Sequence, residues 1–197
     1  MSAGASLQGR YDAVAIGASA GGIEALSLLL PALPAASPAA IFVVIHLPRE
    51  RPSLLAELFR PKCAAAVAEA EDKEPVVPGT IYFAAPDYHL LIDEGPRLAL
   101  SVDALVQYSR PSIDVLFESA AEIYRRRLLA VLLTGGNDDG AAGLQAVREC
   151  GGMTVVQDPA TAQAPFMPAA ALRRGPVDQV LTLEQIAALL RSLEPAT

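Results

Sequence analysis

Tyr11-Asp-Ala-Val-Ala-Ile16 runs directly into Gly17-Ala-Ser19-Ala-Gly21-Gly22, and this stretch sets the frame for the rest of the chain. Tyr11 to Ile16 is a short apolar strand, and the small residues behind it are turn chemistry. A helix follows, with Ile23, Leu26, Leu29 and Leu30 at helical spacing and Pro31 and Pro34 marking its end. Ala40 to His46 is a second strand whose Ile-Phe-Val-Val-Ile run lacks alternation, as expected of a strand buried on both faces of a parallel sheet. Pro52 to Phe59 reads as a short helix.

From Cys63 to Ala104 the character changes. Ala64 to Val67 reads as a strand, and Thr80 to Ala84, Leu90 to Asp93 and Leu98 to Val102 read as strands joined by Pro-Asp and Glu-Gly-Pro turns, which suggests an antiparallel insertion or edge. The helix–strand alternation then resumes. Pro111 to Arg126 is helical with Pro111 in its first turn, and Leu128 to Leu133 is a buried strand. Thr134-Gly-Gly-Asn-Asp-Asp-Gly140 opens a helix reaching Glu149. Met153 to Val156 and Val177 to Leu181 are further strands, and Thr182 with Gln185 forms a capping box for the last helix. This alternation predicts an α/β fold: a doubly wound, mainly parallel sheet between helix layers (an α/β/α sandwich), with a small antiparallel β insertion or edge. Residues 11–193 form one domain behind a flexible leader, residues 1–10, with no internal repeat or long linker.

Composition narrows the function. Of 197 residues, 52% are hydrophobic and 19% charged, so there is ample material for a core. A net charge of −7 disfavours a polyanion partner, and the absence of Trp with only 5% aromatics leaves little to stack on bases. No nucleic-acid partner is expected. Cys63 and Cys150 are too few for a disulfide scaffold and read as reduced thiols of a cytoplasmic protein. No apolar run is long enough to enter a membrane as a span, so no membrane insertion is expected.

In a doubly wound sheet, functional groups collect at the carboxyl ends of the strands. Gly17-x-Ser19-x-Gly21 has the spacing of a nucleophile elbow, a tight turn that projects a hydroxyl above the sheet. The amide of Ala20, at the start of the next helix, is placed to stabilise an oxyanion. The second strand delivers His46 to the same edge, a base of suitable kind for a serine. The loop after the Leu128 strand offers Asn137, Asp138 and Asp139, one carboxylate of which can orient an imidazole. Each piece alone has a structural reading: a plain tight turn, a packed strand-end histidine, helix N-cap chemistry. His89 is a rival base. Gly17-x-Ser19-x-x-Gly22 also approximates a dinucleotide-binding turn, but His46 stands where that fold wants an acid on the ribose. Cys63, Cys150, His46 and His89 lack zinc-ligand spacing, and no phosphate-binding lysine loop accompanies Asp138 and Asp139, so no metal or other cofactor is expected. Arg125-Arg126-Arg127 closes a helix, where its charge complements the macrodipole.

Six motifs in order carry a resemblance: Ile16-Gly-Ala-Ser-Ala-Gly-Gly-Ile-Glu-Ala25, Ile45-His-Leu-Pro48, Glu69-Ala-Glu-Asp72 with Val77-Pro-Gly79, Arg110-Pro-Ser-Ile-Asp-Val-Leu-Phe117, Leu133-Thr-Gly-Gly-Asn-Asp-Asp-Gly-Ala141, and Gln157-Asp158 with Met167-Pro168. From about Tyr11 to Leu193 the chain resembles the catalytic domain of the bacterial chemotaxis protein-glutamate methylesterases of the CheB type. The resemblance implies a serine hydrolase in signal transduction that removes methyl esters from glutamates of a methylated chemoreceptor and also deamidates glutamines. It makes Ser19 the nucleophile, His46 the base, Asp139 the orienting carboxylate and Asp138 a bystander, with Ala20 and Gly136 as oxyanion donors. Gln157, Phe166 and Met167 are substrate-binding candidates by resemblance. Departures from the family pattern are Ala20 for a common threonine, Gly136 for a methionine and Ser109 for a histidine before Arg-Pro-Ser. The receiver domain that usually precedes such a domain is not expected in this sequence, so regulation falls to a receiver domain or methyltransferase acting in trans. The alternative function is an idle relative that docks on signalling proteins.

Overall fold

The computed structural model describes residues 10–47 and 53–194. Most of the expected leader and the Pro52 start of the second helix lie outside the described residues. Among these, the strands and α-helices in order are β1 (Ala13–Ala18), α1 (Gly22–Leu29), β2 (Ala40–Ile45), α2 (Leu55–Phe59), β3 (Ala66–Glu69), β4 (Thr80–Phe83), β5 (His89–Asp93), β6 (Arg97–Ser101), α3 (Ile113–Tyr124), β7 (Leu128–Leu132), α4 (Ala141–Glu149), β8 (Met153–Gln157), α5 (Phe166–Arg174), β9 (Gln179–Leu181) and α6 (Leu183–Arg191). Seven strands make one sheet in the order β3-β4-β2-β1-β7-β8-β9, every pairing parallel, and β5 and β6 form a separate antiparallel hairpin. No helix among the described residues is long and apolar enough to cross a membrane.

Strand alternation divides the interior into two cores. Val14, Ile16, Ala18, Ile41, Val43, Ile45, Leu129 and Val131 pack against Leu26 and Leu29 of α1 and Ile186 and Leu190 of α6. Ala13, Ala15, Ala40, Phe42, Leu128 and Ala130 face Ile113, Leu116 and Phe117 of α3 and Leu144 and Val147 of α4. The alanines on this second face let α3 lie close to the sheet centre. Burying each branched side chain contributes roughly 1.5–3 kcal/mol, so the strands that carry the site rest on the best-packed part of the molecule. The chain leaves β1 toward β2 on one side and returns to β7 on the other. That reversal opens a crevice at the carboxyl ends of these strands.

Three expectations are corrected. Thr80–Phe83 is a parallel strand within the main sheet, because Ile81, Tyr82 and Phe83 are buried on both faces; only β5 and β6 form the antiparallel insertion. Their hairpin packs Leu90, Ile92 and Leu98 into the second core. Helix α3 begins at Ile113, with Ser112 outside it as N-cap in extended conformation, so Pro111 precedes the helix rather than occupying its first turn. Arg125–Arg127 forms a separate 3₁₀ turn, and Arg127 pairs with Asp12 instead of capping α3. The capping box of α6 is present, with both Thr182 and Gln185 bonds made. Helix α5 was not signalled by the sequence, since Pro165 and Pro168 read as breakers; both lie where a helix start does not need their missing N–H groups.

Candidate active site

The Ser19 loop is shaped by close approach. A Cβ on Gly17 would stand 2.3 Å from Ile113 Cγ2, so only glycine lets α3 reach β1 there. Gly21 caps α1 at φ +78°, a left-handed conformation that L side chains rarely adopt. Ser19 sits between them, one residue past β1. Its own N–H donates to Thr134 O at 2.9 Å, and its carbonyl accepts from Gly22 N–H at 2.8 Å. The loop is thus tied to the end of β7. The amides of Ala20 and Gly136, both in exposed residues, make no hydrogen bond to the described residues.

His46 follows β2 in the same register. Ala18 pairs with Ile45, and His46 N–H donates to Ala18 O at 3.1 Å, so Ser19 and His46 each stand one step beyond the last paired positions. The imidazole is 14% exposed, and its Nε2 lies 2.8 Å from Asp139 Oδ2. On its other side, Nδ1 is 3.5 Å from Asn137 Nδ2. Ser19 Oγ makes no hydrogen bond to the described residues.

Asp139 is fully buried at the N-terminus of α3. Its Oδ1 accepts from Ser112 Oγ at 2.8 Å and from Asp114 N–H at 2.9 Å, and its Oδ2 accepts from Ile113 N–H at 2.8 Å in addition to His46. Burial pushes this carboxyl up, but the His46 hydrogen bond and the Asp114 and Ile113 amides outweigh it and hold the group below the ordinary aspartate value. The carboxylate is therefore anionic at neutral pH, placed where the helix dipole also favours negative charge.

Support comes from residues to which the sequence reading gave no supporting role. Ser112 N–H donates to His89 Nδ1 at 3.2 Å, and His89 Nε2 lies 3.0 Å from Ala104 O. A carbonyl can only accept, so Nε2 carries the proton and Nδ1 the lone pair. His89, the rival base, is thus fixed and buried behind the N-cap of α3, two hydrogen bonds from Asp139. The sequence signal for Ser112 was the hydroxyl immediately before an apolar helical run. His89 had none, because its partners lie far along the chain.

Asp114 is buried one residue into α3 and accepts from Gly143 N–H at 2.6 Å, joining α3 to α4. Burial raises its carboxyl to about 6, with the Gly143 amide opposing the rise and the Asp139 charge adding to it. Exposed Asp138 lines a cavity of about 310 Å³ with Asp114, Phe166 and Arg173.

The Gly135–Gly136 loop rests on Gln157 and Met167. Gln157 Oε1 accepts from Thr134 N–H at 2.9 Å, and Met167 N–H donates to Gly135 O at 2.9 Å. Thr134 Oγ1 donates to Ala20 O at 2.9 Å, linking this loop to the one carrying Ser19. Gln157 and Met167 are buried behind the loop and face no opening; Phe166, 52% exposed with Arg173 over its ring, is the member of the three at the surface. Beyond His46, a cavity of about 160 Å³ is bounded by Leu47, Tyr108, Ser109, Arg110 and Pro111. Arg110 ties off the excursion that begins at Val102, donating to Val102 O and Asp103 O at 2.7 and 3.0 Å and to Asp87 Oδ1 at 2.9 Å.

The structure thus brings His46 and the buried Asp139 carboxylate together at the sheet edge where β1 ends in Ser19, near the amides of Ala20 and Gly136, which bond to none of the described residues. The family model for the CheB methylesterases matches residues 14–190. The chain belongs to the CheB methylesterase family. A Leptospira interrogans protein provisionally named protein-glutamate methylesterase/protein-glutamine glutaminase is 44% identical over 93% of this chain and 95% of its own length. A Pseudomonas aeruginosa protein-glutamate methylesterase/protein-glutamine glutaminase is 41% identical over 90% of this chain, which spans 51% of that protein's length. The crystal structure of the Thermotoga maritima CheB methylesterase catalytic domain superposes with a TM-score of 0.87 at 35% identity, covering 93% of this chain and 98% of that one. The α/β architecture is that of the CheB catalytic domain.

Proposed function

We propose that this CheB family member hydrolyses γ-methyl esters of protein glutamates, with methylated chemoreceptors as the substrate class, through an acyl-enzyme formed on Ser19. The observation that supports this most is the His46–Asp139 contact at the edge where β1 ends in Ser19, with Asp139 held by Ser112, Ile113 and Asp114. Asp139 accepts the hydrogen bond from Nε2–H, so Nδ1 is the basic nitrogen. The Ser19–His46 contact is to form in the substrate complex, since such catalytic hydrogen bonds commonly tighten only when substrate binds.

In the forward step Ser19 Oγ forms a bond to the ester carbonyl carbon as its proton passes to His46 Nδ1. The carbonyl oxygen becomes an oxyanion and accepts from the Ala20 and Gly136 amides. Collapse breaks the carbon–methoxy bond, and the proton on Nδ1 leaves with methoxide as methanol. Water then attacks the acyl-enzyme by the same route and frees the glutamate carboxylate and Ser19. A glutamine carboxamide enters the same path and releases ammonia. Proton transfer of this kind contributes about 10²–10⁴-fold, and each oxyanion donor about 10²–10³-fold. Gln157 and Met167 act by holding the Gly135–Gly136 loop, and Phe166 is the substrate-facing member of that group. A protein carrying this activity works where chemoreceptor signalling segments lie, in the cytoplasm, alongside a methyltransferase and a receiver domain that set its output; residues 11–193 form its catalytic domain.

Ser19→Ala should abolish methanol release from a methylated receptor while leaving the fold unchanged. A fluorophosphonate probe should label wild type at Ser19 alone. Wild-type rate in the variant, or no labelling of folded wild type, would overturn this reading, and the latter result would favour a docking module.

A further inference from the structure

Asn137 is half-buried and stands at the centre of the Asp139 loop, in contact with both members of the His46–Asp139 pair. Its Oδ1 accepts from Asp139 N–H at 3.3 Å. A backbone N–H cannot accept, so this bond fixes which way the carboxamide points and leaves its NH₂ facing His46 Nδ1. An NH₂ group can only donate. The ring nitrogen opposite must therefore present its lone pair, and the ring proton must sit on Nε2, toward Asp139. Both ends of the imidazole give the same answer by independent contacts, one at 2.8 Å and one at 3.5 Å.

We infer that Asn137 is a positioning residue: its carboxamide, oriented by the Asp139 amide, donates to Nδ1 and supports His46 in the Nε2–H tautomer with a lone pair on Nδ1. This rests on the proposed role of His46. In the resting site Asn137 keeps the lone pair company without consuming a proton. When Nδ1 takes the Ser19 proton, a donor faces a donor, and Asn137 withdraws. The new N–H is then aimed at the leaving methoxide instead of being held by a side-chain acceptor. An aspartate at this position would do the opposite, accepting from Nδ1–H and keeping the ring doubly protonated between two carboxylates.

Among the described residues, Asp139 lies on the α3 side of the ring, Asp138 on Asn137's own loop, and Tyr108 and Arg110 across the neighbouring cavity. Asn137 Nδ2 is the side-chain donor seen at Nδ1.

The chain has two histidines, so ¹⁵N-imidazole NMR of the full protein reads His46 directly once its signals are assigned by their loss in His46→Gln. Wild type at neutral pH should show His46 as the Nε2–H tautomer. Asn137→Asp should give a doubly protonated ring at the same pH, and Asn137→Ala the Nε2–H tautomer with a shifted Nδ1 resonance, because that nitrogen loses its donor. In pH–rate profiles on p-nitrophenyl acetate, the acidic limb should move upward by about one pH unit in Asn137→Asp, a tenfold change in proton affinity, and by less in Asn137→Ala. Tautomer and limb unchanged in both folded variants would overturn the inference. The NMR readout does not depend on turnover: a protein that shows the expected ring states yet hydrolyses no ester supports the Asn137 role and sinks the functional reading, whereas an active esterase whose ring ignores Asn137 does the reverse.

Discussion

Asp139 and Asp114 are both buried aspartates at the start of α3, yet their surroundings drive them in opposite directions. Asp139 receives three donors from the helix start and a fourth from His46, enough to offset its loss of water. Asp114 has backbone donors at Gly143 of α4 and at Gly140, the residue capping that helix, and faces the charge of Asp139. The lesson is that burial alone does not set the charge of a carboxyl group; the count and direction of donors does. Asp139 is built to stay ionised beside an imidazole. Asp114 is built to join two helices, and it tolerates a proton in doing so.

The most damaging way to test this contrast is Asp139→Asn. A carboxamide puts an NH₂ group among four donors, so it cannot satisfy them all. Ester hydrolysis should fall by about 10³-fold or more, and denaturant unfolding should show a loss of roughly 3 kcal/mol from a buried network left unmatched. A loss under tenfold would mean that Asp139 does not orient the base. Ser112→Ala removes one donor to Asp139 and the N-cap of α3 together. Activity should drop about tenfold, and stability by about 1 kcal/mol on the same denaturant assay.

Asp114→Asn sharpens the comparison from the other side and should change turnover least, within a few-fold. Its signature is in stability against pH. Because the folded Asp114 carboxyl lies at about 6, above its ordinary 3.8, its stabilising effect is complete below that ordinary value. It is lost as pH rises through about 6, at most roughly 3 kcal/mol for two pH units. Asp139, held low, contributes the reverse: its stabilisation is present above the ordinary carboxyl range and disappears as pH falls through its folded value. In wild type the two oppose each other in mild acid. Thermal or denaturant unfolding of Asp114→Asn from pH 4 to 6.5 should therefore lose the fall in stability seen with rising pH in wild type. Parallel curves for both proteins would show that Asp114 does not titrate in this window.

Much of this was legible in the linear chain, for a physical reason. Strands buried on both faces, such as Ile41–Ile45 and Leu128–Leu132, are continuous apolar runs, and the groups that follow them must lie at the sheet edge. That puts Ser19, His46 and the Asn137–Asp139 loop at the ends of neighbouring strands. The partners of Asp139 were harder to see. Ser112 and His89 act through bonds that span 27 and 23 residues, and no local periodicity records such distances. Gln157 and Met167 were marked by resemblance, but their burial behind Gly135 turns them from surface contacts into supports for a loop. Helix α5 hid behind its prolines, and β4, read as a strand, was placed with the antiparallel hairpin because turn residues flank it.

The knot made by Arg110 has one more effect. With its guanidinium gripping Val102 and Asp103 at the far end and Asp87 to the side, the bend that carries Gln107 and Tyr108 is closed at its base like a drawstring. The bend is anchored two residues before the N-cap that helps hold Asp139, and it sets Tyr108 beside the cavity next to His46. The outer contour of the site is thereby moored to the same helix start that steadies its buried carboxylate.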